Sequence, residues 1–243
     1  MATSPFRRDC DVMRPLNDAF DRTGRVRRPP YRRLLSEALA GAIYWPPLPD
    51  CSNLPAGRNR VVLVIPAFLT TDAVTRRLRR FLQRCGYRVF GWELGLNWGP
   101  TPQLMAALSK RLVALRDLAN DRVSLIGVSL GGLMARDLAY DHQSDVRDVI
   151  TIASPYNLPT AITIEPLIRL VGHFYGPAID IDRLASPLPV PSTAIFTRDD
   201  GLVAWESCRR DEKNCSSVEV TGPHLTICRN PDVLRAIATK LGA

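Results

Sequence analysis

VSLIGVSLGGLMARDLAYD, Val123 to Asp141, is the stretch on which the fold turns. Its first six residues, VSLIGV, form an apolar run of the kind that is buried on both faces of a sheet. LGGLMARDLAYDHQ follows and has the character of a helix. Between the two lies G-x-S-x-G, spelled by Gly127, Ser129 and Gly131. A serine at a sharp strand-to-helix turn is a nucleophile elbow. Small residues are needed two positions either side of it, because a Cβ at Gly127 or Gly131 would strike the neighbouring strand or helix. The hydroxyl of Ser129 is then lifted above the carboxyl ends of the strands, where open α/β sheets bind their ligands.

Outward from the elbow the same alternation repeats. VVLVIPAF (Val61 to Phe68) is a buried strand, and Thr70 or Thr71 caps a helix running to Gln83, with Gly86 at the left-handed position beyond it. YRVFGW (Tyr87 to Trp92) is a second strand. Thr101 and Pro102 open a helix whose Leu104, Leu108, Leu112 and Leu115 share one face, and Asn120 ends it. After the elbow strand come VRDVITIAS (Val146 to Ser154), STAIFT (Ser192 to Thr197) and SVEV (Ser217 to Val220). Asn230-Pro231 then caps a closing helix through Leu241. Strands that read as continuous apolar runs and alternate with helices predict an α/β fold, with a mostly parallel sheet covered on both faces.

A chain of 243 residues suffices for one such domain, with 46% hydrophobic and 23% charged residues. Residues 60–243 form the expected main domain, and residues 1–59 a basic leader and an apolar segment packed on it. Nine of the arginines lie within residues 1–33, against four aspartates, which accounts for five of the net +8. The leader is expected to be solvated. A weak contact with an anionic membrane surface is the alternative. No aromatics interleave these arginines, so no nucleic-acid partner is expected. LLSEALAGAIYWPPLP (Leu34 to Pro49) is apolar but short, and is expected to pack over the sheet rather than dip into a membrane. With no run long enough to span a bilayer and no apolar core behind the N-terminal charges, the expectation is a cytoplasmic protein. The six cysteines form no C-x-x-C pair, so no metal site is expected. Cys208 and Cys215 are close enough in sequence for a short disulfide, but free buried thiols are the preferred reading, since nothing else argues for an oxidising compartment.

A serine hydroxyl is a weak nucleophile until a base takes its proton, and the base needs an acid to fix its tautomer. The chain has three histidines: His142, His173 and His224. His142 ends a polar helical stretch and is expected to face solvent, and His173 falls in an interrupting segment. His224, just past the last strand in VTGPHL, is therefore the candidate base. Asp200, in FTRDDGLV after the fifth strand, is the candidate acid, with its neighbour Asp199 as competitor for the role. The oxyanion of a tetrahedral intermediate needs backbone N–H donors. Leu130, next after the serine, supplies one, and Phe68 in IPAFLTTD the other.

With these residues in the order Ser, Asp, His, the chain from about residue 60 resembles the α/β-hydrolase superfamily. More narrowly it is similar to bacterial esterase/lipase-type proteins with a PGF-like oxyanion loop, here Pro66-Ala67-Phe68. GWELGLNWGP (Gly91 to Pro100) and TRDDGLVAW (Thr197 to Trp205) extend the likeness. The resemblance implies a triad of Ser129, Asp200 and His224 and cofactor-free hydrolysis of carboxylic esters. Ala67 departs from the His-Gly that precedes the first oxyanion donor in many lipases, and its Cβ restricts the backbone there. Residues 155–191 interrupt the pattern. The apolar ITIEPLIRLVGHFY (Ile162 to Tyr175) within them is expected to form a helical lid or a fixed peripheral helix. An apolar lid favours a small-molecule ester with a hydrophobic acyl or alcohol part. Trp92, Trp98 and Trp205 line the mouth of the site or belong to the core. An acyltransferase or amidase using the same triad, and a binding protein that kept the fold, are the alternatives. The natural substrate and the oligomeric state are not encoded in any motif.

Overall fold

A computed structural model describes residues 29–30, 32, 37, 44–157, 181–184, 186–209 and 214–242. Its centre is a sheet of six strands: β1 (Val61–Ile65), β2 (Arg88–Gly91), β3 (Val123–Val128), β4 (Val146–Ile152), β5 (Ser192–Thr197) and β6 (Cys215–Val220). Their order is β2-β1-β3-β4-β5-β6, and every neighbouring pair is parallel. Four longer helices cover it: α1 (Asp72–Arg84), α2 (Pro102–Ala119), α3 (Leu130–Asp141) and α4 (Pro231–Leu241).

The apolar runs are continuous because both faces are buried. On β1, Val62 and Val64 face one core with Leu78, Phe81 and Leu82 of α1 and Val233, Leu234 and Ile237 of α4. Val61, Leu63 and Ile65 face the other, with Leu108, Leu112 and Leu115 of α2 and Met134, Ala135 and Leu138 of α3. Each fully buried leucine or isoleucine contributes about 1.5–3 kcal/mol relative to an exposed one. The helices start and stop where local chemistry directs. Thr71 caps α1 through Ala73 N–H, and Thr101 caps α2 through Leu104 N–H with Pro102 behind it. Gly86 (φ 87°) and Asn120 (φ 49°) take the left-handed turns that follow α1 and α2.

Several expectations change, while the preferred reading of Cys208 and Cys215 as buried free thiols holds. The first strand stops at Ile65 rather than running to Phe68, since Pro66 has no N–H for a ladder. The last strand begins at Cys215, two residues earlier than the apolar pattern suggested, because its partners Ser192 and Thr193 on β5 pair with Cys215 and Ser216. His142 is not a solvated side chain. It is only partly exposed and lies between Ser109 (2.6 Å) and Asp145 (3.1 Å). The disulfide joins Cys51 to Cys85, with Cα atoms 5.4 Å apart, while Cys208, Cys215 and Cys228 are buried free thiols. The proposed lid helix and His173 lie outside the described residues. No described helix is long and apolar enough to cross a membrane.

Candidate active site

The turn after β3 has the geometry its glycines require. Ser129 sits at φ 51° and ψ −119°, a conformation that costs an L-residue about 1–3 kcal/mol and is held by its surroundings. Its N–H is fixed to the Ile152 carbonyl of β4 at 2.8 Å. A Cβ on Gly127 would collide with the backbone of Gly131 and Gly132, and one on Gly131 would come within 2.5 Å of the Ile65 and Pro66 carbonyl oxygens. The strain therefore follows from bringing α3 directly against β1 and β3. Leu130 opens α3, so its N–H has no acceptor within the helix.

The second candidate donor belongs to a loop fastened from across the sheet edge. Asn97, fully buried, donates through Nδ2 to the Pro66 carbonyl (2.8 Å) and accepts the Gly99 N–H (3.1 Å). Its backbone carbonyl accepts the Leu69 N–H (2.7 Å), and its N–H donates to the Thr70 carbonyl (2.9 Å). Residues 66–70 are thereby held on both sides of Phe68. Among the described residues the Phe68 N–H donates to no other group. Sequence reasoning did not single out Asn97, although it lies in the GWELGLNWGP segment.

Asp200 follows β5 and His224 follows β6. Neighbouring strands in a sheet lie about 4.8 Å apart, so turns after β3, β5 and β6 share one edge. Asp200 Oδ2 and His224 Nδ1 are 2.7 Å apart, and both side chains are nearly fully buried. The other oxygen, Oδ1, accepts the N–H groups of Leu202 (2.8 Å) and Val203 (2.7 Å), which fixes the carboxylate in its turn. Asp199, the competitor, does not reach the imidazole. Its Oδ2 accepts the Gly222 N–H at 3.0 Å and so ties the β5 turn to the loop that carries His224. With Nδ1 held by Asp200, the opposite nitrogen, Nε2, is left for a reacting partner. No hydrogen bond joins it to Ser129 Oγ among the described residues. Bonds of this kind tighten once a reactant is bound.

Burial alone would lower the pKa of His224. The Asp200 charge, the hydrogen bond to it and the charge of Glu37 outweigh burial and hold it above the ordinary histidine value. Glu37 is a further component that sequence reasoning missed. Only 4% exposed, it accepts N–H bonds from Gly201 (2.6 Å) and Leu225 (3.3 Å). The signal for it was a single carboxylate in the otherwise apolar LLSEALAG.

Trp92 belongs to the core, its Nε1 donating to the Gly95 carbonyl at 3.0 Å. Trp205 stacks on Phe196 with ring centroids 5.6 Å apart, under the Arg198 guanidinium. Trp98, next after Asn97 in the chain, is half exposed. Among the described residues no cluster of His, Cys, Asp and Glu could hold a metal ion.

Solved structures resemble this architecture. A monoacylglycerol lipase from Paleococcus ferrophilus superposes with a TM-score of 0.54 at 14% identity, over 78% of this chain and 96% of that one. Est1E from Butyrivibrio proteoclasticus, with ferulic acid bound, gives 0.51 at 13% identity over 79% and 95%. An α/β hydrolase enzyme from the metagenome of lagoon sediments at Mar Chica, Morocco, gives 0.54 at 13% identity over 76% and 90%. No protein-family model and no curated protein matches the sequence. At such identities the likeness defines the fold, and the chain has the α/β-hydrolase fold.

Proposed function

We propose that the chain is a serine hydrolase of carboxylic esters, acting through an acyl-enzyme. The reading is carried by the buried Asp200–His224 pair, 2.7 Å apart, on the same sheet edge as a serine in a strained elbow. In this scheme Ser129 Oγ attacks the ester carbonyl carbon, and His224 Nε2 takes the hydroxyl proton. Asp200 stabilises the imidazolium that forms. The developing oxyanion lies between the N–H groups of Phe68 and Leu130. When the tetrahedral species collapses, the C–O bond to the alcohol breaks and His224 returns the proton to the leaving oxygen. Water, deprotonated by His224, then releases the acid and restores Ser129. Each proton moves between groups of the chain and the reactants, so the cycle needs no cofactor.

The substrate class is drawn from the structural neighbours. The structural neighbours include a lipase for monoacylglycerols and an esterase holding ferulic acid, both acting on or binding molecules with a sizeable apolar part. An ester with a hydrophobic acyl or alcohol portion is the matching choice here. The deciding measurement is hydrolysis of p-nitrophenyl esters from acetate to palmitate by wild type and Ser129→Ala. Turnover by the wild type alone, with an optimum in chain length, is the expected outcome. If neither protein turns over an ester, and a fluorophosphonate fails to label Ser129, the fold serves binding instead.

A further inference from the structure

We propose that Glu37 is a positioning residue for this triad, bracing the Asp200 turn and the His224 loop with one carboxylate. The inference rests on the hydrolase reading above and adds to it a residue from the chain segment before the sheet. Gly201, which gives its N–H to Glu37 Oε1 at 2.6 Å, directly follows Asp200. Leu225, which gives its N–H to Oε2 at 3.3 Å, directly follows His224. The two loops come from different strands, β5 and β6. They are joined by the Asp200–His224 bond and by Asp199 Oδ2 to Gly222 N–H. Glu37 adds a third tie, and it is the one that holds both loops at the residues next to the reacting side chains.

A structural role elsewhere would not need a carboxylate in this place. Burying an ionised group is costly unless its oxygens are satisfied, and here both oxygens meet backbone N–H donors. Burial pushes the Glu37 carboxyl above its ordinary value, and the Asp200 charge adds to the rise. The amides of Gly201, Leu225 and His224 act in the opposite direction. Asp200 and His224 are the titratable groups that face Glu37 among the described residues. A second negative charge beside the histidine also favours the imidazolium that forms as Ser129 attacks. Neutralising Glu37 therefore lowers the pKa of His224, and the acid limb of activity moves to lower pH.

The test compares Glu37→Gln, Glu37→Asp and Glu37→Ala in the full chain, with p-nitrophenyl butyrate as substrate. In Glu37→Gln, kcat is expected to fall on the order of tenfold or more, the scale of a hydrogen bond to a charged group, with KM little changed. Its acid limb shifts to lower pH, and the His224 ring, followed by nitrogen NMR, titrates lower than in wild type. Glu37→Asp keeps the charge and with it the wild-type position of the acid limb. A wild-type kcat and acid limb in Glu37→Gln would overturn the proposal. So would a loss of stability and kcat together with an unchanged His224 titration, since Glu37 would then be structural only. If Glu37→Ala does not fold, the other two variants decide. Should the wild type neither hydrolyse esters nor react at Ser129, the hydrolase reading fails by itself, and the NMR titration still reports on Glu37.

Discussion

The described residues contain two Ser–His–Asp groupings, and they differ in the backbone around them. Ser109, His142 and Asp145 are linked in series, Ser109 Oγ to His142 Nε2 at 2.6 Å and His142 Nδ1 to Asp145 Oδ2 at 3.1 Å. By side-chain contacts alone this is the more complete triad, since Ser129 makes no such bond to His224. Ser109 lies within the regular helix α2, however, with no elbow and no pair of backbone N–H groups aimed where an oxyanion would form. Asp145 is shared with Arg116 (3.4 Å) and precedes β4, at the amino end of the sheet. Its histidine caps α3, accepting the N–H groups of Asp145 and Val146 on its carbonyl. The grouping at the carboxyl end has strained backbone, unspent amides and a buried acid. The grouping at the amino end has satisfied, ordinary structure. Backbone context, more than the presence of three residue types, separates chemistry from packing.

Breaking the comparison starts with the two acids. Asp200→Asn keeps the shape but forces the wrong histidine tautomer and removes the charge that holds His224 above its ordinary pKa. The expected loss in kcat is on the order of 10³–10⁴-fold. Asp145→Asn at the other end should leave kcat within about twofold and cost under about 1 kcal/mol of stability, as a partly exposed pair does. Ester turnover and thermal unfolding on both variants would show it. Equal effects on turnover would mean that the carboxyl-end grouping is not the site. The linkage sign for His224 follows from its raised pKa. The stability it contributes is present below the ordinary histidine value and is lost as pH rises through the folded one.

The amino end should respond in stability instead. The Cys51–Cys85 bridge closes a separation of 34 residues and pins the chain before β1 to the end of α1, beside the start of β2. On the chain-entropy model a loop of that size is worth about 3–4 kcal/mol. Cys51→Ser is therefore expected to lower the denaturation midpoint markedly. The activity of the folded fraction should stay near that of wild type. A change in kcat without a change in midpoint would contradict the division between the two ends.

How much of this was legible in the sequence depends on the range of the contact. The strands could be read because burial on both faces leaves an unbroken apolar run. The elbow could be read because Gly127, Ser129 and Gly131 form a short spaced pattern between a strand and a helix, even though the Cβ at Gly131 is excluded by the distant Ile65 and Pro66. Asp200 and His224 were placed by their position after strands, but nothing local distinguishes Asp200 from Asp199. That choice rests on which side of the β5 turn each carboxylate leaves, and the answer is a contact with His224 for one and with Gly222 for the other. Glu37 reaches Gly201 and Leu225 across 164 and 188 residues, and no pattern of spacing carries that. The Cys51–Cys85 pairing is likewise a product of the fold, since Cys208 and Cys215, nearer in sequence, remain apart.

Asp148 gives the finest contrast with Asp200. Both are acids at strand ends, but all of Asp200's bonds are made, whereas Asp148 near the amino end of β4 has one buried oxygen, Oδ1, without a hydrogen-bond partner. Its other oxygen accepts from Ser124 Oγ at 3.1 Å. Burial pushes its pKa up to about 6, against the Ser124 bond and the charges of Arg147, Arg60 and Arg122. A carboxyl raised in this way binds its proton more tightly when folded than when unfolded. Its favourable contribution is full below the ordinary value near 3.8 and is lost as pH rises through about 6. Asp148→Asn removes that cost, so it should stabilise the protein by up to about 3 kcal/mol at pH 8 and by almost nothing at pH 4. Denaturant unfolding at the two pH values measures the difference. A variant equally or less stable at pH 8 would mean that Asp148 keeps its charge because the arginines around it compensate, as the N–H groups of Leu202 and Val203 do for Asp200.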